Sequence, residues 1–286
     1  MKFASFTRLG RPGFGIASDV GIIDLTGRLA PGVDSLRQCL AAGLVPAAQA
    51  YARQHGPDLG WSDVSLLPVV PDPAKILCIG LNYETHRSET KRPEAAHPAV
   101  FLRYADSQIA HGADMIRPAR SEKLDYEGEL AVVIGKGGRN IPEAEAMAHV
   151  AGYACYNDGT ARDYQRHTHQ FTPGKTFPGT GGFGPVLVTA DEIPDYRNLK
   201  IETRLNGETM QSATLADLIF PLPRIIAYLS EFTPLSPGDV IATGTPGGVG
   251  DRRDPPLYMK DGDLIEVEIS SVGLLRNQVR DEASPV

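Results

Sequence analysis

Between Lys75 and Ile269 the chain is broken into short apolar runs, KILCIG, AVFLRY, GELAVVIGK, AGYACYND, GPVLVT, KIETRLN, DVIATG and LIEVEI, separated by Gly, Pro and polar residues. Runs of this length bounded by turn formers predict strands, and Asn206-Gly207 after KIETRL predicts a tight hairpin turn. Helical spacing is confined to EAEAMAH and PRIIAYLSEF here, and to DSLRQCLAAGLVPAAQAYARQ nearer the N-terminus. No regular alternation of strand and helix is present, so a doubly wound parallel sheet is not expected. The pattern predicts a protein that is mostly β with some α, its strands closed into a roll or barrel.

Two unequal parts are expected. Residues 1–67 carry the short strands FGIAS and GIIDLT and the Ala-rich and Leu-rich helical stretch, which together make a small N-terminal α+β domain. The segment SLLPVVPDPAK, with three prolines, reads as a linker. Residues 68–286 then form the larger domain.

At 286 residues with 42% hydrophobic content the chain has enough apolar material for a substantial core. A net charge of -7 without a basic run argues against nucleic acid. The opening MKFASFTRLG lacks the apolar core of a signal peptide, and no apolar run approaches the ~18 residues of a membrane span. A cytoplasmic protein acting on a small molecule is the expectation. Cys39, Cys78 and Cys155 are odd in number and contain no CxxC pair, so they read as buried thiols.

The densest chemistry is in DYEGELAVVIGK. In an extended chain Glu127, Glu129, Ala131 and Val133 share one face and Leu130, Val132 and Ile134 the other, so two carboxylates head an apolar face. Like charges beside a core either share a proton or surround a cation. Asp158, ending the strand AGYACYND, offers a third acid; three hard oxygen donors without His or Cys suit Mg²⁺, with Mn²⁺ and Ca²⁺ as alternatives. Taken alone, such a pair on a solvated face is the commoner case. In GLNYETHRSET, His86 and Glu89 are one helical turn apart, an arrangement in which a carboxylate orients an imidazole as a general base, or a surface His has an incidental neighbour. Arg162 and Gln165 follow Asp158 at helical spacing, fit either to clamp a substrate carboxylate or to form a structural ion pair with Asp158 or Asp163. Lys175 lies in GKTFPGTGGFGP, whose five glycines let backbone approach a ligand but lack the spacing of a P-loop. In TGTPGGVG, backbone amides and the Thr245 hydroxyl are placed to hold a carboxylate, or simply to turn the chain. His167 and His169 read as solvated loop residues, or else as part of a lid.

CIGLNYETHRSE, DYEGELAVVIGK, YNDGTARDYQ, GKTFPGTGGFGP and LSPGDVIATGTPGGVG, in that order, resemble the catalytic domain of the fumarylacetoacetate hydrolase family over roughly Pro73 to Val279. The resemblance implies a mixed β-roll catalytic domain, usually in a homodimer, and a divalent metal, most often Mg²⁺, held by Glu127, Glu129 and Asp158. It further implies His86 with Glu89 as the water-activating pair, and Arg162, Gln165, Lys175 and Thr245 around the substrate. Where many relatives carry a Lys in an FxK string this chain has Arg103, implying a forked charge for a substrate carboxylate. The segment after His86, RSETKRPEAAHP, is unusually charged.

The expected reaction is hydrolysis of a carbon–carbon bond in a β-diketo acid of the acylpyruvate or fumarylpyruvate type, as in aromatic catabolism. His86 and Glu89 would activate water, and Lys175 with Gln165 would steady the oxyanion. Alternatives are decarboxylation of a 2-oxo acid such as oxaloacetate, isomerisation of a hydroxymuconate-type dienoate, and metal-dependent ligand binding without turnover.

Overall fold

The computed structural model describes residues 1–283. Every apolar run named above is a strand, and two sheets carry the fold. The larger, of 11 strands, runs from the edge strand Gly21–Asp24 through Arg11–Ser18, Lys2–Arg8, Gly181–Thr189, Val150–Asp158, Gly128–Ile134, Val240–Ala242 and Ile76–Gly80 to the edge strand Ala99–Arg103. It is mixed: Val240–Ala242 runs parallel to Ile76–Gly80, and most other pairs are antiparallel. The smaller sheet orders Glu208–Thr214, Lys200–Leu205, Leu264–Ile269, Gly273–Asp281 and Met115–Arg117. Asn206 and Gly207 have φ of 53° and 82°, the left-handed pair that a two-residue hairpin turn needs, and join two strands of this sheet.

The central strand Gly128–Ile134 is buried along its whole length. Its alternation divides two cores. Leu130, Val132 and Ile134 pack with the smaller sheet, through Ile201, Val267 and Leu275, and with Ile225, Ile226 and Leu229 of the helix Leu222–Phe232. Ala131 and Val133 face Phe101, Tyr156, Phe183 and the N-terminal residues Phe3, Phe14, Leu36 and Cys39. Truncating one of these side chains, such as Ile225, to Ala would cost about 2–5 kcal/mol. All three cysteines are buried and free.

The first 67 residues extend the larger sheet. Lys2–Arg8, a strand not singled out in the sequence, pairs with Gly181–Thr189, and its neighbours carry the sheet to its edge. The expected helical stretch is split into Leu36–Ala41 and Val45–Ala52, because Gly43 turns the chain at φ 65° and Pro46 sits in the first turn of the second helix. EAEAMAH winds as a 3₁₀-helix, Glu143–His149, between two strands. Among the described residues no helix is long and apolar enough to cross a membrane.

Candidate active site

Strand register gathers the acids. Gly128 lies opposite Asn157 and Glu129 opposite Tyr156. One further step sets Asp158 opposite Glu127, where the Asp158 N–H donates to the Glu127 carbonyl at 2.8 Å. Glu127, Glu129 and Asp158 are all buried, and each places one carboxylate oxygen within 4.8 Å of the others.

Three buried cations balance part of this charge. Lys175 Nζ donates to the Glu127 carboxylate and, at 2.6 Å, to Asp158 Oδ2. Arg103 donates through Nη1 to Asp158 Oδ1 at 2.7 Å and to the Gly159 carbonyl at 2.9 Å. Arg162 donates through Nε to Asp125 Oδ2 at 2.8 Å, while its Nη2 lies 2.6 Å from Glu127 Oε1 as an ion contact. With Asp125 there are four carboxylates against three cations, so one negative charge is left over.

Glu129 is the acid left without a partner cation. Burial pushes Asp125, Glu127 and Glu129 up, but Arg162 and Lys175 overcome it at Glu127 and hold that carboxyl at about 2. Glu129 has no cation within 4 Å among the described residues. Burial, followed by repulsion from Asp158 and Glu127, pushes it well above the usual carboxylate range, against the more distant charge of Lys175 and the Gly244 N–H at 2.8 Å. Three converging oxygen donors with an uncompensated charge are the donor set a hard divalent cation satisfies. The ammonium of Lys175 is likewise held up: burial opposes its charge, but Asp158 and Glu127 prevail.

A glycine-rich loop, residues 243–250, supports the arrangement. Its amides are spent on the protein itself: Gly244 on Glu129, Gly247 on Thr85 at 3.0 Å, Gly248 on Glu89 at 2.8 Å and Gly250 on Asp125 at 2.8 Å. The loop thereby pins the short helix Glu84–Glu89 over the acids. There His86 Nδ1 meets Glu89 Oε1 at 2.7 Å, leaving Nε2 as the ring atom free to carry a proton.

His86, Glu127, Glu129, Arg162, Gln165, Lys175 and Thr245 line one cavity of about 530 Å³, with Ile79, Phe101 and Phe171 as its apolar wall. Glu89 stands behind His86. Asp158 lies beneath the acids it joins. Three expected substrate contacts look different in place. Arg103 is 2% exposed and does not line the cavity; Ser107, Asp158, Gly159 and Thr180 occupy its fork, so it orients Asp158 instead of meeting a ligand. Thr245 donates its hydroxyl hydrogen to the Gly128 carbonyl at 2.9 Å and accepts from Gln211 at 2.8 Å, which ties the loop to the strand. The Arg162 partners are Asp125, Glu127 and the Gln165 carbonyl oxygen at 3.0 Å, with neither Asp158 nor Asp163 among them. His167 and His169 line the cavity mouth.

Sequence reasoning missed Asp125 and Asp251. Asp125 accepts from Arg162 and from the amides of Gly250 and Asp251, and so ties the acid strand to the glycine loop. Its one signal was its place at the head of DYEGEL.

Residues 75–280 match the family model described as fumarylacetoacetate (FAA) hydrolase, C-terminal. The chain belongs to the fumarylacetoacetate hydrolase family. It is 42% identical over 240 residues to the mitochondrial oxaloacetate tautomerase FAHD2B of Homo sapiens, covering 83% of this chain and 76% of that protein. It is also 42% identical over 262 residues to the oxaloacetate tautomerase YisK of Bacillus subtilis (strain 168), covering 86% of each. Maleylpyruvate hydrolase from Sphingobium sp. SYK-6, solved with manganese(II) and pyruvate, superposes with a TM-score of 0.83 at 28% identity, over 99% of this chain and 100% of that one.

Proposed function

We propose that this protein catalyses keto–enol interconversion of a small 2-oxo dicarboxylate, with oxaloacetate the first candidate, using a divalent cation held by Glu127, Glu129 and Asp158, Mg²⁺ before Mn²⁺ or Ca²⁺. The observation that carries the reading is His86: a base fixed by Glu89 at 2.7 Å opens into the same cavity as Glu127 and Glu129. The names of the tautomerase relatives supply the substrate and favour proton transfer over the hydrolysis expected from the motifs.

Held by Glu127, Glu129 and Asp158, a hard cation would supply a Lewis acid that polarises a ketone oxygen and orients the oxo acid. In the ketone-to-enol direction His86 Nε2 takes the proton from the carbon beside the ketone and passes it to the oxygen that becomes the enol hydroxyl; in reverse it takes the proton from that oxygen and returns it to the carbon, so no water is consumed. Glu89, itself held by the Gly248 amide, keeps the ring turned. Gln165, whose carbonyl is taken by Arg162, offers its amide nitrogen to the enol oxygen. Lys175 and Arg162 hold the Glu127 carboxylate ionised and in place.

A second reading, hydrolysis of an acylpyruvate, is favoured by the cavity volume, which exceeds what a four-carbon acid fills, and by the likeness to maleylpyruvate hydrolase. In it His86 would deprotonate water for attack on the distal carbonyl, releasing pyruvate and a carboxylic acid. The test strips the protein with a chelator, restores Mg²⁺ and follows the enol absorbance of oxaloacetate beside an acylpyruvate panel. Metal-dependent acceleration of the oxaloacetate enol–keto relaxation, with oxaloacetate conserved, is expected. Cleavage of an acylpyruvate alone would select hydrolysis, and loss of CO₂ would select decarboxylation. Metal-dependent binding with no turnover would leave a ligand-binding protein.

A further inference from the structure

The cavity has opposite charge at its two ends. Buried Glu127 and Glu129 line its inner end, with Asp158 beside them, whereas the exposed Arg92, Arg166 and Arg252 together with His167 and His169 line its mouth. On a chain of net charge -7 this local excess of cations does not follow from composition.

The mouth is built. Asp251, with a side chain only 5% exposed, receives the Tyr258 hydroxyl at 2.9 Å on Oδ1 and anchors two guanidinium groups: Arg166 pairs with its Oδ2, and Arg252 Nε lies 3.3 Å from that oxygen. Two guanidinium groups on one carboxylate leave a full positive charge unmatched. Both remain exposed, at 48% and 38%, and both line the cavity. Across the mouth stands Arg92, from the charged segment after His86. Its backbone is held by Arg87, and its side chain pairs with no acid among the described residues.

We propose that Arg252, Arg166 and Arg92 form an anion subsite that takes the distal carboxylate of a dianionic substrate while the 2-oxo acid end lies at the acidic floor. This rests on the oxo-acid reading above and adds to it the residues that select a dicarboxylate over a monocarboxylate with the same reacting centre. A fork with free N–H groups matches a carboxylate bidentately.

The test compares oxaloacetate with its 4-ethyl ester, which keeps the reacting carbon and removes the distal charge, in Mg²⁺-loaded wild type, Arg252→Gln and Arg92→Gln. Wild type should prefer the diacid in kcat/KM. Each variant should lower the diacid-to-ester ratio about tenfold, chiefly through the KM of the diacid, the size expected for a charged hydrogen bond. An equal fall for both compounds would make these arginines structural and overturn the subsite, as would an unchanged ratio. Arg92, on an exposed segment, keeps the test open if Arg252→Gln folds poorly. If wild type interconverts neither compound, the tautomerase reading fails and the subsite is read by calorimetry of the Mg²⁺-loaded protein. Tighter binding of 2-oxoglutarate than of 2-oxobutyrate, lost in Arg252→Gln, would sustain it; equal wild-type affinities would overturn it.

Discussion

Replacing Arg103 by Ala removes a buried charge whose fork makes four hydrogen bonds, to Ser107 at 3.2 Å, Asp158 at 2.7 Å, Gly159 at 2.9 Å and Thr180 at 2.8 Å. Breaking a buried ion pair from one side costs about 3–5 kcal/mol, mostly because the partner is left unpaired. Here Asp158 keeps Lys175 on its other oxygen, which holds the cost inside that range despite the three further bonds. Arg103→Lys retains a charge for Asp158, but one ammonium cannot reach all four partners, so a loss of about 1–2 kcal/mol is expected. Because Asp158 loses its orienting partner, Arg103→Ala should also weaken Mg²⁺ binding about 10–100-fold. Urea unfolding of chelator-stripped protein, with calorimetry for Mg²⁺, measures both. An Arg103→Ala protein within about 1 kcal/mol of wild type, binding Mg²⁺ equally well, would refute this placement.

His86→Asn should lower turnover about 10²–10⁴-fold while leaving Mg²⁺ binding in place, and Glu89→Gln should cost less; steady-state rates beside calorimetry check this. Without metal, raised Glu129 binds protons better in the folded than in the unfolded chain, so stability should fall as pH rises from the ordinary carboxylate range through its folded value. Lowered Glu127 acts oppositely: its contribution is present above about 4.5 and lost as pH falls towards about 2. Urea midpoints with chelator should therefore decline on both sides of a mildly acidic optimum; Mg²⁺ or Glu129→Gln should lessen the decline on the alkaline side, leaving the part that buried Asp125, also raised, contributes. A Cβ at Gly250 would stand 1.8 Å from the Leu257 carbonyl oxygen, so Gly250→Ala should cost about 1–3 kcal/mol or more and disturb the Asp125 anchor, read by urea unfolding.

Local pattern made the strands legible, because apolar runs between turn formers need only neighbours to be recognised. The face assignment around Leu130 and Ala131 follows from period two alone, and the structure divides its two cores along that line. The motif order carried the family. Lys2–Arg8 was less legible because its value lies in pairing with Gly181–Thr189, far along the chain. The candidate site shows the same limit. The acids, His86 and Glu89 announce themselves by spacing, whereas Arg103 and Thr245 look available in sequence and, apart from the Arg103 bond to nearby Ser107, are used up by partners 34 to 117 residues away. The glycine loop was read as a carboxylate cradle and does hold carboxylates, but they are Glu129, Glu89 and Asp125 of the protein itself.

The account stands most directly on proton exchange at carbon. Wild type with Mg²⁺, incubated with oxaloacetate in D₂O and followed by NMR, should introduce deuterium beside the ketone faster than solvent does. Removing the metal or substituting His86→Asn should abolish that excess. Release of CO₂ or carbon–carbon cleavage without prior exchange, or exchange that survives His86→Asn, would contradict it.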